Sequence, residues 1–130
     1  MDILIQLFHE KEIEKILEKC EDVKFAKKDE IRSIIKQLHD AGCDDNLIRY
    51  LIMTNPSFIT NESSKIKEII NVLSEYGIED LDLVFYLYPK ILNKDAYEID
   101  NFYIKKHQEG YSNDDIKELL EVEPYLIDEK

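Results

Sequence analysis

The chain has 130 residues, 44% apolar and 35% charged, with 29 acidic against 17 basic side chains and a net charge of −12. So many apolar residues, recurring periodically, exclude a disordered chain, and no apolar run approaches the roughly 18 to 20 residues of a membrane helix. Cys20 and Cys43 stand outside any motif spacing, so they give neither a disulfide framework nor a ligand set, and both are expected to be reduced thiols at least half buried.

The three prolines, Pro56, Pro89 and Pro124, and the three glycines, Gly42, Gly77 and Gly110, are the only ones present. The prolines lie 33 and 35 residues apart, a period of stacked helical repeats. In chain order they divide the sequence into residues 1–28, 29–61, 62–94 and 95–130, within one domain spanning 1–130. The first segment is a degenerate N-terminal cap. Its Ile13, Ile16 and Leu17 stand 8, 5 and 4 residues before Glu21, where a proline would fall, and Val23 follows; Lys24 breaks the pattern and Phe25 is expected to take its place.

In residues 29–61, Ile31, Ile34, Ile35 and Leu38 share one stripe of a 3.6-residue period and predict a helix stopped at Gly42, where a left-handed residue ends a helix with least strain in glycine. Ile48, Leu51 and Ile52 predict a second helix stopped before Pro56, because proline disfavours helical geometry in the residue before it. Phe58 and Ile59 then tuck back in a tight turn. Residues 62–94 repeat this with Ile66, Ile69, Ile70 and Leu73, then Gly77, Leu81, Val84, Phe85, Pro89, Ile91 and Leu92; Asn61 or Ser63 is the expected helix cap. Residues 95–130 supply Ile99, Phe102 and Tyr103, then Gly110, Ile116, Leu119, Leu120, Pro124, Leu126 and Ile127, with Lys106 where the other repeats carry leucine. The fold class is all-α: a short right- or left-handed α-solenoid of three helix-turn-helix repeats with a degenerate N-terminal cap.

Candidate binding residues lie on the periphery of this pattern. Asp44, Asp45, Glu79, Asp80, Asp82, Asp114 and Asp115 follow the glycine turns, where a carboxylate caps a helix and suits the positive end of its dipole; stacked on one edge, they would also form an acidic row for a basic partner. Tyr86 and Tyr88 are candidate contacts, because tyrosine buries ring area at an interface while its hydroxyl stays wet. Lys24, Lys27, Lys28, Arg32 and Lys36 are the densest cations; they read as a solvated helix entry or as a small, salt-sensitive nucleic-acid contact. His39 and His107 occupy equivalent positions two repeats apart, about 20 Å at a helix spacing near 10 Å, too far to share a metal. No nucleophile motif or phosphate loop is present, so neither a catalytic residue, a cofactor nor a metal is expected and the chain is not read as an enzyme.

Gly42 to Ile59, Gly77 to Leu92 and Gly110 to Ile127 resemble the repeat of the mitochondrial transcription termination factor (mTERF) family. The resemblance covers roughly residues 29–130 and implies two α-helices and a 3₁₀ turn per unit, stacked into a curved superhelix; family members carry more repeats and a basic groove for duplex nucleic acid. This chain is instead short and acidic, with net charge −9 over residues 66–130. Its expected role is therefore a non-enzymatic protein-binding module, an acidic inhibitor of a nucleic-acid enzyme of the nucleic-acid-mimic, anti-CRISPR or immunity-protein kind, with a basic protein as partner. The alternative is an mTERF-like nucleic-acid-binding protein. Cytoplasmic residence away from membranes is the default expectation.

Overall fold

The computed structural model describes residues 7–128; the first six residues of the cap and the last two of the final repeat lie outside them. The described residues form α1 (Glu10–Lys19), α2 (Lys28–Asp40), α3 (Asp45–Thr54), α4 (Ser63–Glu75), α5 (Leu81–Leu87), α6 (Ala96–Gln108) and α7 (Asn113–Val122). Four 3₁₀ turns punctuate them: η1 (Glu21–Phe25), η2 (Pro56–Thr60), η3 (Pro89–Asn93) and η4 (Pro124–Asp128). No strand occurs among these residues, and none of their helices is long and apolar enough to cross a membrane.

The helices form two layers. The first helices of the repeats, α2, α4 and α6, pack side by side, and so do the second helices, α1, α3, α5 and α7. The 3₁₀ turns add a third row, with η1 against η2 and η2 against η3. The cap thus supplies a second helix and a turn: Ile16 and Val23 are buried, but Phe25 is 76% exposed and does not replace the missing apolar residue. A 3₁₀ helix has three residues per turn, so moving one position along rotates a side chain by about 120°, here out to solvent.

Every repeat is stopped in the same way. Gly42, Gly77 and Gly110 have φ of +103°, +87° and +100°. The amides flanking each turn make the paired bonds of a Schellman motif: Gly42 N–H to the His39 carbonyl at 3.0 Å and Cys43 N–H to that of Leu38 at 2.9 Å, repeated by Gly77 with Ile78 and by Gly110 with Tyr111. In the first two repeats an apolar pair, Leu38 with Cys43 and Leu73 with Ile78, occupies the positions that usually touch in this motif. Lys106 in the third is not a defect, since its ammonium lies 5.4 Å from the centre of the Tyr111 ring and 5.7 Å from that of Phe102. The residues before the prolines share one non-helical geometry, with φ of −142°, −146° and −133° and ψ of 63°, 78° and 58° at Asn55, Tyr88 and Glu123.

One continuous apolar core runs from Phe8 to Leu120 between the layers. The residues of the proline-aligned pattern are buried in the first two repeats; in the last, Leu119, Leu126 and Ile127 are only half-buried, no further unit packing on them among the described residues. Polar contacts across the repeats fix the stacking. Asn93 Nδ2 donates to Asn55 Oδ1 at 3.0 Å and to Ser57 Oγ at 2.9 Å, and Asn55 Nδ2 donates to the Pro89 carbonyl at 3.1 Å, joining η2 to η3. Arg49 reaches Glu12 at 3.2 Å, tying α3 to α1.

The entry to α4 differs from the sequence expectation. Its N-cap residue is Glu62, whose side chain makes no capping bond, and neither Asn61 nor Ser63 caps through its own side chain. Glu30 of α2 accepts from the Ser63 backbone N–H at 2.8 Å, so the free amide is satisfied from the preceding repeat.

Candidate functional site

Lys28, Arg32 and Lys36 fall at intervals of four along α2, and four residues are slightly more than one helical turn, so they line one exposed face. Lys24 and Lys27, just before α2, are also exposed but stand among acids: Lys24 lines a surface hollow with Glu14, Glu18 and Glu21, and Lys27 shares one with Glu30 and Glu62. Two acids interrupt these cations, Asp29 and Glu30. The Ser63 contact ties Glu30 into the seam with α4, and the bonds from Ser63 hold its carboxyl below the ordinary 4.5, charged but drawn toward α4. The sequence showed the cluster; only the packing shows which acid is occupied elsewhere.

The equivalent face of the next first helix carries Ser63, Lys67, Asn71 and Ser74, and that of the last carries Ala96, Asp100, Ile104 and His107. Because α2, α4 and α6 lie side by side, this face grades from cationic on α2 to largely uncharged on α6, where the one acid, Asp100, is half-buried and bonded to Tyr76. Lys67, exposed at the position equivalent to Arg32, is the one cation the middle repeat adds to this face.

The acidic candidates stand at the starts of α3, α5 and α7, and the lateral packing of these helices brings them to one edge. Several have structural duties there. Asp44 is the N-cap of α3 and accepts from Leu47 N–H at 2.8 Å. Asp45 lies 3.0 Å from Nε2 of His39, whose Nδ1 faces the Cys43 carbonyl. Asp115 completes a capping box with Ser112 at the start of α7. Asp80 occupies the N-cap position of α5 without a side-chain bond, Asp82 is half-buried in its first turn, and Glu79 and Asp114 are exposed.

The two tyrosine candidates part company. Tyr86 is exposed on α5, its ring 5.2 Å from that of Tyr50 on α3. Tyr88 is only 7% exposed, and its hydroxyl is buried without a partner. The non-helical backbone before Pro89, with φ −146° and ψ 78°, goes with a side chain turned into the core, so Tyr88 is not a surface contact. Sequence reasoning missed the pair that joins α4 to α6. The Tyr76 and Tyr103 rings stack with centres 3.4 Å apart, and the Tyr76 hydroxyl donates to Asp100 Oδ1 at 2.5 Å. Burial, joined at Tyr76 by the Asp100 bond, pushes both phenols up to about 12. Cys43 is buried, which raises its thiol to about 12 and leaves it unreactive, while Cys20 is half-buried.

Two helical layers, a 3₁₀ row and identical glycine and proline stops define a helical-repeat protein. The mTERF family model matches residues 3–128, nearly the whole chain, and the protein belongs to the mTERF family. No curated protein and no solved structure matches it.

Proposed function

We propose that this protein binds nucleic acid through the cations Lys28, Arg32 and Lys36 of α2, with Lys27 beside them and Lys67 extending the face laterally. Family membership supports the class, and the observation that carries the proposal is the alignment of Lys28, Arg32 and Lys36 on one exposed face of α2 with Glu30 drawn toward α4. The remaining acidic surface sets the character of the binding. About five phosphates are neutralised against a body of charge −12, so contact is weak and driven by counterion release. The inhibitor reading, in which the acidic row imitates phosphates, has less behind it, because Asp44, Asp45 and Asp115 are engaged in capping and in the His39 pair.

Fluorescence anisotropy with a labelled DNA duplex at 50 and 200 mM salt tests the proposal. About five phosphate contacts at a slope of roughly −0.9 each predict a loss of about 10²- to 10³-fold across that range. Reversing Arg32 and Lys36 to glutamate should remove the binding seen at low salt. No binding at 50 mM, or binding indifferent to that reversal, rejects the proposal.

A further inference from the structure

The opposite layer carries a different surface. Leu83, Tyr86 and Leu87 fall at i, i+3 and i+4 on α5, one face of a helix, and all are exposed; Tyr50 on the adjacent α3 is exposed beside Tyr86. The four side chains retain between 42% and 52% of their surface, although each is large and apolar enough to belong in a core. Isolated exposed leucines need no explanation, but four large apolar side chains sharing two neighbouring helices form a patch. Its rim is charged. Glu79, Asp80 and Asp82 stand at the start of α5, and Asp114, Asp115, Glu118 and Glu121 lie along α7, whose Lys117 is turned toward Glu121 at 3.9 Å.

We infer that this α3–α5 face is a docking site for a polypeptide segment that presents apolar anchors flanked by lysine or arginine, an amphipathic basic helix being the form that fits two parallel ridges. The apolar centre supplies area to bury, and the carboxylates of α5 and α7 choose the sign of the flanks. Neither tyrosine hydroxyl is hydrogen-bonded among the described residues, so both remain available to the incoming chain. A second copy of this protein is disfavoured as occupant, because each brings a charge of −12 to the encounter. The face is separate from the cationic line on α2, so this inference stands independently of nucleic-acid binding.

The test uses the full chain and a labelled synthetic helix with leucines at i, i+3, i+4 and i+7 flanked by lysines. A scrambled peptide of the same composition and a version with glutamate in place of lysine serve as comparisons. The amphipathic basic helix should bind at least about tenfold more tightly than either, and the double substitution Leu83→Ser with Tyr86→Ser should weaken it by about tenfold or more. Reversal of Arg32 and Lys36 should leave this binding intact, which separates it from the duplex experiment. Equal affinity for the scrambled peptide, measured on the unaltered chain, would show attraction by charge alone and overturn the inference. So would affinity unchanged by the double substitution, or light scattering that finds a dimer dispersed by it.

Discussion

The first full repeat and the last share a backbone and differ in nearly everything that faces outward. Both end their first helix in the same Schellman turn and their second at a proline entering a 3₁₀ turn. Yet Lys28, Arg32 and Lys36 in the first are replaced by Ala96, Asp100 and Ile104 in the last, and Phe58 and Ile59, fully buried, by the half-buried Leu126 and Ile127. The core positions answer to the neighbouring repeat, so a unit with neighbours on both sides is tightly constrained and one at the end is less so. Fully exposed outward positions answer to little inside the fold, unlike Asp100, which is held by Tyr76. They are where two units of one architecture can differ in charge.

Truncation of the two turns should give the largest contrast. Phe58→Ala removes a fully buried ring between repeats and should cost about 3–5 kcal/mol in chemical denaturation, whereas Leu126→Ala, at the uncovered end, should cost less than about 2 kcal/mol. Equal losses would mean that the last repeat is as well packed as the first. Alanine at Gly42 or at Gly110 should cost about 1–2 kcal/mol in either repeat. An added methyl meets nothing within 4 Å at either site, so the penalty comes from the positive φ alone, and thermal unfolding of the two variants should agree. A clear difference between them would break the backbone equivalence.

The smallest effect distinguishes the two seams of the first layer by pH. Between α2 and α4, Glu30 has its pKa lowered from 4.5, so its contribution is present above that value and disappears as pH falls through the lower, folded value. Between α4 and α6, Tyr76 and Tyr103 are raised from 10 to about 12, so their contribution is complete below pH 10 and is lost as pH climbs toward 12. Segment-resolved amide exchange should show acid loosening the start of α4 first and alkali loosening α6 first. The reverse order would contradict both assignments.

Much of the fold was legible because repeats are local. The proline-aligned and glycine-aligned apolar stripes mark most of the side chains that the core buries, with Ile35, Ile70, Leu119, Leu126 and Ile127 half-buried at its edge, and the positive φ of Gly42, Gly77 and Gly110 follows from the only glycines in the chain. The cap of α4 was not legible, because Glu30 reaches Ser63 from 33 residues away and no local pattern records that distance. Tyr88 was misplaced for a related reason: a position just before proline has no helical phase, so periodicity says nothing about where its ring points. Of the site, the cluster from Lys24 to Lys36 and the acids after each glycine were visible as composition. That α2 arrays Lys28, Arg32 and Lys36 on one face, and that several of the acids are engaged in capping, required the helices in place.

By itself the sequence determined the repeat: its length, its two stops and the apolar side of each helix, because hydrophobic periodicity and the backbone limits of glycine and proline act within a few residues. Tertiary structure decided which surfaces those repeats expose to partners. Lateral packing sets a cationic helix in one layer and an apolar tyrosine and leucine patch in the other, since contacts between side chains some 35 residues apart depend on how whole helices stack rather than on any neighbouring residue.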